Sequence, residues 1–540
     1  MALTFLTLML CAPAHRESPP QHRWLYCSFN LWVDANVNML DALFRRACKA
    51  GYTGVLLSDS KFGKLAAMDD RYFRNVDRIK RIAAECKLDI IPAVFALGYS
   101  ESILWHDPNL AEALPVRDAL FVVRNGVAKL VPDPPVSLPD FRDLKAWDWK
   151  DDTVAIESAA ACVKDPQGKN ARIVKTVAVH PFRQYHVSVR VCTRDFAGTP
   201  EIKVLANNRS LVFSNLGVKQ TQDWTEHHAV FNSLEHDKVA IYFGCWDGRT
   251  GTLGWKDPYL EEVGLLNVVR RDGAPLTVRR DNGETLREGT DFDRIIDPRM
   301  GTVPWNGAYK VWHAPPIIRT PLPDGTRLRI SYYHVVTIYD GQVMICPSEP
   351  RTLELLRDEA RRVHAAWGAK AYMMSHDEIR VLNWDGSCAR RKLSPGEILA
   401  DNVKTCINIL DEVAPGAAIY VWSDMFDPHH NAVADYYLVR GDLAGSWKGL
   451  DPRVGIVVWN FDKRDESLKW FAQRRHPIII AGYYDGTPQS IRDWLASAGR
   501  FGGVSGVMYT TWRQQYADLE EFARHLRSDP SEPRRSEPRP

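Results

Sequence analysis

Asp377 and Glu378 stand side by side at the end of an apolar run, AYMMSHDE, in a chain of 540 residues. Neighbouring residues at a strand end point to opposite sides of the local backbone. One carboxyl can therefore face a leaving group while the other faces the ring it leaves. Two carboxyls this close also push one of them toward a higher pKa, which keeps a proton at hand near neutrality. Hydrolysis of a glycosidic acetal needs such a pair: a proton for the departing oxygen and negative charge beside the developing oxocarbenium carbon. His376 precedes the pair and Arg380 follows it, and both are expected to bind substrate; for the carboxyl pair a structural ion pair with Arg380 is the plain alternative role. Further polar and aromatic residues stand just past other apolar runs: Asp59, Trp422 with Asp424, Trp459, Tyr483, Tyr484 and Asp485, and Trp512. Flat rings of this kind can wall a sugar site or fill a large core.

These residues need a frame that brings them to one place. Short β-type runs alternate with amphipathic stretches, the pattern of a parallel α/β architecture. Strands are expected at Leu25–Asn30, Gly54–Ser58 and Asp89–Phe95, then at Ala369–Ser375, Ala418–Trp422, Val454–Trp459, Pro477–Ala481 and Val504–Tyr509. Helices lie between them. That near Asn36–Lys49 stops at Gly51, and that at Gly396–Val413 starts from Ser394-Pro395. Eight such units predict an α/β fold, a (β/α)8 TIM barrel, and the polar clusters just named then fall on its catalytic face. The rhythm breaks between the third and fourth strands. Residues 141–265 alternate apolar and polar, as in YHVSVRVC, and predict an inserted antiparallel β-sandwich, a jelly roll. The expected division is barrel over 21–140, sandwich over 141–265, a β-rich return over 266–345 and barrel again over 346–527.

The segment ICPSEPRTLELLRDEARRVHAAWGAKAYMMSHDE resembles family 20 of the glycoside hydrolases, the β-N-acetylhexosaminidases. There a Cys-Pro stretch leads through a helix to an Asp-Glu pair at the end of barrel strand four. LLSDSKF, IIPAV, VWSDMF and GYYDG are similar to that family's second, third, fifth and seventh strand segments. The resemblance implies a retaining, exo-acting enzyme with Glu378 as general acid/base. Asp377 would orient the substrate's 2-acetamido group, which attacks the anomeric carbon in place of a protein nucleophile. Tyr483 or Tyr484 would bind the acetamido oxygen, and Trp422, Trp459 and Trp512 would wall the pocket. The chain departs from the family at the first strand, Tyr26-Cys27-Ser28, which lacks the Arg used for sugar hydroxyls. It departs again at Ser375-His376, in place of Gly-Gly, and at Thr511-Trp512-Arg513. The stretch from Trp224 to Leu266 resembles jelly-roll carbohydrate-binding modules, with Trp246 and Trp255 as stacking candidates.

Two other readings stay open. One is a retaining glycosidase with Asp424 or Asp485 as nucleophile, and the other is a carbohydrate-binding protein without activity. Lys+Arg is 69 against Asp+Glu 67, a net charge of +2, which supplies no field for nucleic acid or an anionic membrane. The expected partner is a carbohydrate; no cofactor and no metal are expected, and the oligomeric state stays open. The ten cysteines form no C-x-x-C pair and read as buried free thiols, Cys27, Cys48 and Cys406 among them. His429-His430 and His376-Asp377-Glu378 lack a metal-ligand spacing. Residues 2–14, ending in Ala12-Pro13-Ala14, have the shape of a signal peptide and point to secretion or the periplasm. No Lys or Arg precedes His15, which leaves a cytoplasmic location open. The Pro- and charge-rich tail 528–540 is expected to be disordered.

Overall fold

The computed structural model describes residues 20–339 and 341–526. The apolar run at 2–14 with Cys11, and the tail 528–540, lie outside them. Among the described residues eight parallel strands close into a barrel. In order they are His22–Ser28, Gly54–Ser58, Asp89–Val94, Ala371–Met374, Ala418–Trp422, Gly455–Val458, Ile478–Ala481 and Val504–Tyr509. The eighth closes on the first, with His22 opposite Gly506 and Leu25 opposite Tyr509. The first strand therefore starts three residues before the apolar run that predicts it.

These strands are buried on both faces, which is why they read as unbroken apolar runs. Alternate side chains go to separate cores. Trp24, Tyr26, Leu56, Ile91, Met373, Tyr420, Trp422, Val457, Ile479 and Met508 fill the barrel interior. Their neighbours Leu25, Cys27, Val55, Leu57, Tyr372 and Met374 pack outward under the helices. The helix Asp34–Ala50 buries Val37, Leu40, Leu43, Phe44 and Ala47, spaced three and four apart. It ends at Gly51, whose φ of 87° lets its N–H reach back to the last carbonyls. The helix Pro395–Val413 begins with a full capping box, Ser394 with Glu397.

The interruption holds three sheets of five strands. Two of them lie within Trp149–Val263 and are antiparallel throughout, forming the sandwich. Trp255 is 1% exposed and meets Phe243 edge-on at 5.9 Å, so it belongs to the sandwich core and cannot stack on a ligand. Trp246 is half-buried under the Lys203 ammonium, 4.0 Å from its ring centre. The third sheet corrects the expected division. Leu114–Arg124 and Val127–Leu130, grouped with the barrel in 21–140, pair instead with Arg327–His334 and Ile318–Arg319. The sandwich is thus an insertion within an insertion. The partner strands lie about two hundred residues apart, so local periodicity carries no sign of the pairing. Cys27 and Cys406 are buried free thiols as expected, whereas Cys48 is exposed on its helix. No described helix is long and apolar enough to cross a membrane.

Candidate active site

A cavity of about 530 Å³ opens at the carboxyl end of the barrel. All eight strand ends contribute to it: Tyr26 and Ser28, Asp59, Ala96 and Tyr99, Asp377 and Glu378, Trp422, Trp459, Tyr484, and Trp512. Five rings form a continuous wall. Tyr26 lies edge-on to Trp512 at 5.0 Å, Trp422 is 5.5 Å from Trp512, and Tyr484 meets Trp512 at 5.8 Å. Tyr484 in turn stacks flat on Trp459, 5.5 Å apart and 9° from parallel. A wall of this kind offers apolar faces while leaving phenol and indole edges for hydroxyls.

Asp377 and Glu378 sit at the mouth of the fourth strand and are held there by backbone. The Glu378 N–H donates to Asp424 Oδ2 at 2.9 Å, and its carbonyl accepts Gln342 Nε2 at 3.1 Å. Glu378 takes φ of 50°, the left-handed region that a side chain adopts only when its surroundings hold it there. The loop after the third strand presses on the same point. A Cβ on Gly98 would come within 2.1 Å of the Asp377 carbonyl oxygen, so only glycine fits. The Glu378 carboxylate is fixed at both oxygens. Arg380 Nη2 is 2.7 Å from Oε1, and the Tyr99 hydroxyl donates to Oε2. Arg380 is itself clamped by Gln342 and lies over the rings of Tyr437 and Tyr339, 4.8 and 5.2 Å from their centres.

Burial, with Asp424 and Glu378 beside it, pushes Asp377 up to about 8. A carboxyl so placed keeps its proton at neutrality until something nearby favours the charge. Asp424 is fully buried, caged by the Glu378 N–H, the Asn431 amide at 2.9 Å and the Trp459 indole at 3.4 Å. Burial pushes it up to about 6 against those donors.

The other residues singled out from sequence divide sharply. Trp422, Trp459, Tyr484, Trp512 and Asp59 line the cavity. Asp59 is nonetheless 5% exposed, and its oxygens accept from Tyr72 Oη at 2.8 Å and from the Leu31 and Lys61 N–H groups. Tyr483 is turned away: its hydroxyl donates to Asp518 at 2.8 Å and its ring stacks on Tyr509. Asp485 takes the Thr511 hydroxyl and the Trp512 and Arg513 N–H groups, so it shapes the loop that presents Trp512. His376 is fully buried against Asn402, 3.1 Å away, and burial pushes it down to about 4, a neutral ring outside the cavity. Arg380 meets Glu378 and does not line the cavity. Sequence reading missed Tyr99, Glu359 and Gln342. Tyr99 had a signal, since Tyr99-Ser100-Glu101-Ser102 is a polar cluster just past the third strand. Glu359 is a buried acid inside a helix, pushed up to about 8, and it accepts the Phe95 N–H at 3.1 Å. Gln342 comes from the return segment and carried no local sign.

No protein-family profile matches the chain, and no curated protein does. Among solved structures it is similar to a rhamnosidase from Novosphingobium sp. PP1Y, with 11% identity over 94% of this chain and 58% of that one, TM-score 0.35. It is also similar to the CBM22-1-GH10 modules of a xylanase from Clostridium thermocellum, with 12% identity over 74% and 92% of the two chains, TM-score 0.19. A GH26-CBM35 mannanase from Podospora anserina gives 10% identity over 73% and 95%, TM-score 0.20. At these values the likeness carries no argument about activity, and the chain's own geometry has to supply it.

Proposed function

We propose that the protein is a retaining, exo-acting glycoside hydrolase of the β-N-acetylhexosaminidase kind, with the substrate's acetamido oxygen as nucleophile. One observation carries this reading. Asp377 and Glu378 face an aromatic-walled cavity, while Asp424 and Asp485, the carboxylates the sequence offers as nucleophiles in place of the acetamido oxygen, are held by donors and do not line it. In the first step Glu378 gives its proton to the glycosidic oxygen, the C1–O bond breaks, and the acetamido carbonyl oxygen bonds to C1. The resulting oxazolinium carries positive charge next to Asp377. As substrate binds, its acetamido N–H donates to Asp377 and the proton Asp377 held passes to Glu378, which is the proton Glu378 gives to the leaving oxygen. The Asp377 carboxylate then faces the oxazolinium charge, so stabilisation is larger in the transition state than before it. Glu378 then takes a proton from water as it opens the oxazoline. Tyr484, which lines the cavity with Tyr26 and Tyr99, would hold the acetamido oxygen.

A screen of aryl glycosides tests the reading. Aryl β-N-acetylhexosaminides should turn over and an oxazoline-mimicking thiazoline should inhibit strongly, because the site binds the species it imitates. Turnover of plain galactosides or glucosides with no thiazoline inhibition, and a covalent adduct from a 2-fluoro sugar, would refute the acetamido route. A second reading has its own support: Asp377 retains its proton to about 8 while Glu378 is ion-paired with Arg380, which suits exchanged roles. Activated aryl glycosides separate the two, since they spare whichever variant lacks the acid. Survival of Asp377→Asn rather than Glu378→Gln on such substrates would make Asp377 the proton donor.

A further inference from the structure

Four donor side chains from three distant stretches meet in the interior, outside the cavity: Glu112, Cys346, Asp385 and Cys388. Their ligand atoms all lie within 4.8 Å of one another, and none of the four residues is more than 2% exposed. Cys346 Sγ and Cys388 Sγ are 3.7 Å apart. Two thiolates on one tetrahedral zinc, with bonds of about 2.3 Å, stand about 3.7 Å from each other. A disulfide would require about 2.05 Å and would leave the buried Glu112 carboxyl without a cation of its own, since Arg271 pairs with Asp385.

The carboxyls are already oriented. Glu112 Oε1 accepts the Trp384 and Asp385 N–H groups at 2.9 and 3.3 Å, which turns Oε2 toward Cys388 Sγ at 3.4 Å. Asp385 Oδ1 accepts the Ser387 and Cys388 N–H groups at 3.0 Å each, and Oδ2 accepts Arg271 Nη2 at 2.6 Å. Backbone donors and an arginine behind the carboxylates are what fixes ligands in a built metal site. Two sulfurs with two carboxylates favour zinc over calcium or magnesium, which take oxygen alone.

We propose that Glu112, Cys346, Asp385 and Cys388 bind one zinc ion in a closed, four-coordinate structural site. Binding releases to solvent the two thiol protons and any proton held by Glu112, the zinc charge offsets two of the four negative charges of the ligands, and Arg271 is shared between Asp385 and Glu349. The site would clasp the molecule at a telling place. Glu112 stands where the chain leaves for the insertion, Cys346 where it returns, and Asp385 and Cys388 follow the loop that carries Asp377, Glu378 and Arg380. The sequence shows no C-x-x-C because the fold, not local spacing, collects the ligands.

Metal analysis of the purified full chain, after dialysis against a weak chelator, tests this without reference to any activity. One equivalent of zinc per chain is expected, absent from the Cys346→Ser/Cys388→Ser double variant. Glu112→Ala should weaken zinc by more than about tenfold, the loss that even an outer-shell change can produce. If the cysteine variants do not fold, cobalt exchanged into the unaltered protein decides, through thiolate-to-cobalt charge-transfer bands and intense tetrahedral ligand-field bands. A chain without stoichiometric metal, a Cys346–Cys388 disulfide in a non-reducing digest, zinc retained by a folded double variant, or a cobalt spectrum without thiolate bands would each overturn the proposal.

Discussion

At the scale of single residues the site depends on two carboxyls given opposite surroundings. Glu378→Gln keeps size and removes the proton. Turnover of a natural glycoside should fall about 10²–10⁴-fold or more, the usual worth of general acid catalysis, with the fold intact by circular dichroism. Near-full activity would remove Glu378 from the mechanism. Asp377→Asn should also lose activity, yet gain stability at alkaline pH. The folded pKa of Asp377 is raised from 3.8 to about 8, so the folded state holds a proton that the unfolded chain releases. The stabilisation due to that proton is complete below about pH 4 and is lost as pH rises to about 8. Asn cannot ionise, so the variant's melting temperature should gain on that of the unaltered chain between pH 4 and 8. Thermal melts across this range check it, and a gap that does not change with pH would show that Asp377 is not held protonated.

The surrounding loops fix where these carboxyls stand. The third-strand loop passes so close at Gly98 that no side chain fits against the Asp377 carbonyl. Gly98→Ala should therefore displace the Asp377–Glu378 turn and lower kcat about tenfold or more, since ~1.4 kcal/mol of lost transition-state stabilisation suffices for that. KM for the same substrate should move less. An unchanged kcat would mean the loop can yield without cost. Helices farther from the cavity act differently. Ser394→Ala removes half of a capping box and should cost ~1 kcal/mol in denaturant melts while kcat stays put. These helices were readable in advance, because caps and three-four spacing are local signals. The left-handed turn at Glu378 was not, because its cause is the contact with Asp424, Gln342 and Gly98.

On the scale of the whole molecule the insertion is not a passive attachment. Phe213, from the sandwich, packs on Tyr437 at 4.5 Å, and Tyr437 lies under the Arg380 guanidinium that holds Glu378. Arg209 donates to the carbonyls of Tyr437 and Val439. Excising 141–265 behind a short linker should therefore lower turnover even of small aryl glycosides about tenfold, the effect of a loosened acid. Unaltered kinetics in a folded deletion would show that the sandwich serves only polymer binding. An insoluble product would point to the sandwich as part of the barrel's own support.

The sequence by itself determined the barrel and the place of Asp377 and Glu378 at the end of its fourth strand, where they line the cavity. Both rest on local patterns: apolar runs of strand length, helices with start and stop residues, and polar residues placed just beyond each run. It also determined which aromatic side chains stand at strand ends, and Trp422, Trp459, Tyr484 and Trp512 do wall the cavity. Only the tertiary structure separated Tyr483 from Tyr484: past the strand end at Ala481, Tyr483 is held by Asp518 and Tyr509, while Tyr484 turns with φ of 52° onto the cavity wall. It alone removed Asp424 and Asp485 from the cavity, by surrounding them with donors from other loops. It alone brought Leu114–Arg124 to Arg327–His334 and Cys346 to Cys388. Contacts between residues far apart in the chain follow from how whole layers pack, and no spacing within either segment records them.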